Sequence, residues 1–157
     1  MLKNPIFKNI LQTLAVALFG FVLLNLTFLF DFLFQTLITR FINLFTQTDL
    51  MMTYGWYPPF LHILFMIVIG LVSWFIFKSR LGTFYKATYM TVPTAVVLAT
   101  VGISLYLWPI AAYSLGALIS IGILYYFYRT KQPWLYYYTV ILIGITMLLV
   151  GLLGVEI

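Results

Sequence analysis

Apolar and polar positions divide the chain into five long apolar runs joined by short polar-aromatic links. The runs cover 9–30, 58–77, 91–108, 110–128 and 135–154. Each approaches the ~20 residues that a helix needs to cross a bilayer. None alternates with the period of two that marks a barrel strand. Lipid offers backbone N–H and C=O groups no partners, so a run of this kind must satisfy them within its own helix. The expected fold is all-α: a polytopic integral membrane helical bundle with five transmembrane helices, forming one membrane domain over 1–157.

The stretch 31–46, DFLFQTLITRFINLFT, has a different pattern. Asp31, Gln35, Thr39, Arg40, Asn43 and Thr46 recur at nearly every fourth position, opposite Phe32, Leu33, Phe34, Leu37, Ile38, Phe41, Ile42, Leu44 and Phe45. A polar stripe facing an apolar one at this period predicts an amphipathic helix, interfacial or re-entrant, with its polar side toward water.

Charge decides between that reading and a sixth span. With the N-terminus inside and 31–46 kept on the outer surface, Lys3, Lys8, Lys78, Arg80, Lys86, Arg129 and Lys131 all fall inside, while Arg40, Asp31, Asp49 and Glu156 fall outside. Such a bias is the positive-inside pattern. A sixth span would invert every later loop and move five cations outside, so the expectation is N-in/C-out with an outer-surface helix. The compartment implied is a prokaryotic cytoplasmic membrane.

Aromatic belts agree with this placement: Tyr54, Trp56, Tyr57, Tyr106 and Trp108 sit at one expected boundary, and Trp74, Tyr85, Tyr89, Tyr125, Tyr126, Tyr128, Trp134, Tyr136, Tyr137 and Tyr138 near the other. Pro58-Pro59, Pro93, Pro109 and Pro133 are expected at helix starts, where a missing N–H costs little. Ala15-Val16-Ala17 resembles a signal cleavage site, but the apolar run ahead of it is about five residues, short of the ~7–15 of a signal peptide. The first helix is expected to stay uncleaved.

Composition narrows the chemistry. Of 157 residues, 64% are hydrophobic and 7% charged, against roughly 25% charged in a soluble domain. The net charge of +5 forms no basic face, so no nucleic-acid partner is expected. There is no cysteine, one histidine and three acidic residues. That removes disulfides and thiolate sites and makes neither a metal nor another cofactor an expected partner. A nucleophile needs a base beside it. Only Ser114 falls at the depth of His62, with no motif behind it, so an enzyme is not expected.

Three groups of candidate residues remain. His62, Asp31 and Arg40 are polar residues expected at the outer side, with His62 able to respond to pH and Asp31 at a depth where it could pair with it. Lys78, Arg80, Lys86, Arg129, Lys131 and Trp134 form a basic-aromatic inner surface suited to a partner protein or an anionic lipid headgroup. Ala112, Gly116 and Ser120 in the fourth run, Ala95 and Ala99 in the third, and Gly144 and Gly151 in the fifth are small-residue faces suited to close helix packing, within one subunit or in self-association. Gln12, Thr13, Asn25, Thr27, Thr91, Thr94, Thr100 and Ser104 could line a path, but hydroxyls in such helices more often bond their own backbone. The expected function is a non-catalytic subunit or accessory factor of a larger membrane assembly. A self-contained small-solute carrier or channel and a lipid-handling protein are the alternatives.

Overall fold

A computed structural model describes residues 5–46 and 55–153. Lys3, Asp49, Tyr54 and Glu156, used above to orient the chain, lie outside the described residues. Five helices account for the structure: α1 (Pro5–Thr46), α2 (Tyr57–Lys78), α3 (Thr83–Ser104), α4 (Pro109–Arg129) and α5 (Trp134–Leu152). All five are long and apolar enough to cross a membrane, and no strand occurs among the described residues.

Helix α3 is the hub. It touches each of the other four, which follow one another around it in the order α2, α1, α5, α4; α2 and α4 do not touch, so the arc stays open. The central position explains the composition of α3. It is the least hydropathic of the five yet the most buried, because Thr88, Thr91, Thr94 and Thr100 face protein rather than lipid. The core of Val16, Ala87, Met90, Phe127, Leu135, Tyr136 and Val140 lies toward one end, near the α2–α3 and α4–α5 links. At this basic end all helices except α2 contribute to the core. Phe127, the one residue that α4 buries, belongs to this core.

Helix α1 corrects the expectation of a separate outer-surface helix at 31–46. Its 42 residues run without a break and rise about 63 Å, roughly twice the ~30 Å of a hydrocarbon core. Only part of the polar stripe is covered by protein, while Arg40 and Thr46 stay exposed. Asp31, Gln35 and Thr39 point at α2, where they meet His62 and Tyr57. The periodic pattern therefore continues the seam of the first helix. The buried residues of α1 run from Val16, in the basic-end core, to Thr39, beside the first turn of α2. This is displaced from the 9–30 run because a hydropathy window follows lipid-compatible residues, not packed ones.

The start of the third helix also moves, from 91 to Thr83. TFYKATYM reads as polar, but Ala87, Thr88 and Met90 are buried against the bundle. Pro93 consequently lies inside α3 and not in its first turn, where its lack of an N–H removes one i→i−4 bond. Gly20 sets the approach of α1 to α3: a Cβ there would stand 2.6 Å from Thr91 Cγ2. At the end of α4, Gln132 N donates to Phe127 O (3.0 Å) and Lys131 N to Tyr128 O (3.3 Å). That is a Schellman cap, and Lys131 occupies its left-handed position with φ 50°.

Candidate functional site

The polar seam between α1 and α2 is built from residues four apart on α1. Positions 31, 35 and 39 fall on one helical face, and all three find partners on the first turns of α2. His62 Nδ1 lies 2.8 Å from Asp31 Oδ2. The Gln35 amide nitrogen lies 3.2 Å from His62 Nε2 and 3.5 Å from Nδ1. Thr39 Oγ1 and the Tyr57 hydroxyl are 3.4 Å apart. Below the polar groups the seam turns apolar, with the Phe34 and Phe65 rings 5.6 Å apart between centroids.

Burial is uneven across the cluster. The Asp31 side chain is 9% exposed and that of His62 20%. Asp31 Oδ1 is buried without a hydrogen-bond partner, whereas Oδ2 is engaged by the imidazole. The Gln35 amide nitrogen, at similar distances from both ring nitrogens, stands over the face of the imidazole, out of the plane of its nitrogen lone pairs.

Arg40 does not join this cluster. Nine residues from Asp31 is half a turn out of phase, and Arg40 is exposed on the far side of α1, beside Phe41, Asn43 and Leu44. Ser114 is also excluded, since α4 touches neither α1 nor α2. The seam thus offers an acid, an imidazole and an amide, and among the described residues no serine stands beside the imidazole. Gln35 and Thr39 are members that a search for ionisable residues alone passes over. Their spacing from Asp31 was the available signal.

Lys78, Arg80, Lys86, Arg129 and Lys131 flank the α2–α3 and α4–α5 links at the basic end, but they are not equivalent. Lys86 Nζ donates to Phe77 O at 2.7 Å and so caps the last turn of α2. Lys78 Nζ lies 3.9 Å from the centre of the Trp74 ring. Arg80, Arg129, Lys131 and Trp134 are exposed.

The small-residue faces do not all close into helix contacts. Ala95 is fully buried. Ala99, Ala112, Gly116, Ser120, Gly144 and Gly151 line a groove of about 750 Å³ between α3, α4 and α5. Within it, Gly116 stands against Leu98, Gly144 against Ser120 and Gly151 against Tyr113.

The hydroxyls along the helices mostly bond their own backbone. Thr27 donates to Leu23 O, Ser73 to Ile69 O, Thr88 to Phe84 O, Thr100 to Val96 O and Ser120 to Gly116 O, all at 2.7–3.0 Å. Thr139 bridges helices as well, donating toward Ala87 O at 3.1 Å. No group of three or more His, Cys, Asp or Glu that could hold a metal occurs among the described residues. No protein-family model, curated protein or solved structure matches this chain.

Proposed function

We propose that the chain is a non-catalytic subunit or accessory factor of a larger membrane assembly, with α1 as its docking element. The observation that carries this reading is the length of α1. The buried residues of the helix among those described run from Val16 to Thr39. The helix then continues for about 10 Å beyond, where Phe41, Leu44 and Phe45 are 63%, 78% and 75% exposed. Bulky apolar side chains on a helix that outruns its bundle are suited to burial against a second membrane protein. In this reading the basic end is cytoplasmic. Lys8, Lys78, Arg80, Lys86, Arg129 and Lys131 belong to that end and Arg40 to the other, in keeping with a positive-inside arrangement in a prokaryotic cytoplasmic membrane.

Tagging at native level, extraction in mild detergent and mass spectrometry test the reading. A stoichiometric partner, lost on Phe41→Glu with Leu44→Glu while the bundle stays folded, is the expected result. A pure homo-oligomer with no partner would overturn it. The Asp31–His62 pair favours a self-contained carrier as the second reading, because an ionisable pair within a span often marks a solute or proton path. The groove between α3, α4 and α5 favours lipid handling. Transport by the pure reconstituted protein, sensitive to His62→Ala, would support the former; a lipid retained through purification, the latter.

A further inference from the structure

We propose that the basic end of the bundle is a collar for anionic phospholipid headgroups, which supply a counter-charge that the chain itself lacks there. Lys8, Lys78, Arg80, Lys86, Arg129 and Lys131 belong to this end. Phe77 and Phe84 flank the α2–α3 link, Phe127 and Leu135 flank the α4–α5 link, and all four pack into one core with Val16 of α1. Both links and the start of α1 therefore converge on one end of the bundle. Among the described residues Asp31 is the sole carboxylate. It lies about 22 Å further along α1 than Val16, and it is engaged by His62.

Contacts within the chain leave these charges standing. Lys86 Nζ donates to a carbonyl, Phe77 O, and Lys78 Nζ rests over the Trp74 ring, and both partners are neutral. Arg80, Arg129 and Lys131 are exposed. Topology accounts for the side on which cations stand, but supplies them no anion. Shape selects a lipid over a cytosolic protein. The links comprise only residues 79–82 and 130–133, too short to raise a surface clear of the bilayer, whereas a stable protein interface takes roughly 800 Å² from each partner. Trp74, Tyr85, Tyr128 and Trp134 are exposed beside the cations, and such rings settle at headgroup level. The planar fork of arginine matches two oxygens of a phosphate, and clusters of about 4–8 Lys and Arg beside membrane helices attract anionic lipid. The inference is independent of the docking role of α1, whose overhang lies at the opposite end.

The tryptophans allow each end to be read by itself, since Trp74 and Trp134 stand at the basic end and Trp56 and Trp108 at the other. Full-length protein carrying Trp56→Phe and Trp108→Phe is placed in phosphatidylcholine nanodiscs with a minor fraction of phosphatidylglycerol. Bromine is carried on the chains of one lipid or the other at equal mole fraction, and quenching of Trp74 and Trp134 reports which lipid collects beside them. Phosphatidylglycerol should be enriched about fivefold or more over phosphatidylcholine, each cation near the surface contributing about that factor. Raising NaCl to about 1 M, where the screening length falls to about 3 Å, should abolish the excess. So should Arg80→Gln combined with Arg129→Gln and Lys131→Gln. The reciprocal protein, with Trp74→Phe and Trp134→Phe, should report no enrichment at the other end, where Arg40 is the one cation among the described residues. Equal quenching by the two lipids at the basic end would overturn the proposal and leave the cations to a protein partner. Enrichment as large at the Arg40 end, or enrichment that persists at high salt, would overturn it as well. The two lipids and two salt levels decide it with all cations in place, even if the triple variant does not fold.

Discussion

Gly20→Ala is the sharpest probe of how α1 sits on α3. The added methyl would stand 2.6 Å from Thr91 Cγ2 and 3.5 Å from Cβ and Oγ1. Contact between carbons is most favourable at about 3.5–4.0 Å, so one of the two helices must move by about 1 Å. Thr91 cannot yield by changing rotamer at little cost. It is β-branched, fully buried, and its hydroxyl donates to Thr88 O at 2.8 Å. Overpacking of this kind costs about 1–3 kcal/mol, and alanine returns about 1 kcal/mol of helix propensity. The net expectation is a loss of about 1 kcal/mol, measured as unfolding of the purified protein in mixed micelles of rising SDS content, followed by circular dichroism. Thr91→Ser removes only the clashing methyl and keeps the hydroxyl. The double variant should therefore recover at least wild-type stability, with a coupling of about 1–3 kcal/mol between the two sites. Additive effects, or a Gly20→Ala protein as stable as wild type in which Thr91→Ser brings no rescue, would refute this account of the α1–α3 contact.

Other positions give further expectations. Gly151→Ala, whose Cβ would stand 2.9 Å from the Tyr113 hydroxyl, should cost less than about 0.5 kcal/mol in the same assay, because the ring is 40% exposed and can swing aside. Lys131→Gly should stabilise by up to about 1 kcal/mol despite the lost charge, since glycine adopts the left-handed position of the Schellman cap without the Cβ penalty. Thr139→Val, which removes the bridge to Ala87 O, should cost about 0.6 kcal/mol, the usual worth of an interhelical hydrogen bond in a membrane bundle. Lys86→Met should destabilise by about 1 kcal/mol through loss of its bond to Phe77 O, whereas Arg129→Met should leave stability unchanged.

Five helices were legible because a long apolar run has only one way to satisfy its backbone in lipid. The ends of those helices were less so. TFYKATYM, at the start of α3, looks unsuited to a membrane until Ala87 is seen against Thr139 and Lys86 against the end of α2. The stripe of Asp31, Gln35 and Thr39 was legible as a face, since its period is local. Its partner was not: the same spacing serves a helix lying on water and a helix zipped to His62, and only tertiary contact separates the two. The small-residue faces posed the same difficulty in reverse. Gly116, Ser120, Gly144 and Gly151 are spaced for close approach, yet together they line an open groove, because spacing along one helix does not say how far away the next one stands.

The hub position of α3 also has a consequence for how the chain enters the membrane. When α3 leaves the ribosome, α1 and α2 are already made, and Gly20, Phe77 and Ser73 can receive Thr91, Lys86 and Tyr89. The side that faces α5 has no cover yet. Thr139 lies 52 residues after Ala87, which at 5–20 residues per second is about 3–10 s of synthesis. For that interval the least hydropathic helix of the five presents unfinished packing to its surroundings. Its stable insertion therefore depends on residues still to be translated, and an insertase or membrane chaperone that shelters one flank of a helix would act on this chain between the emergence of α3 and the arrival of α5.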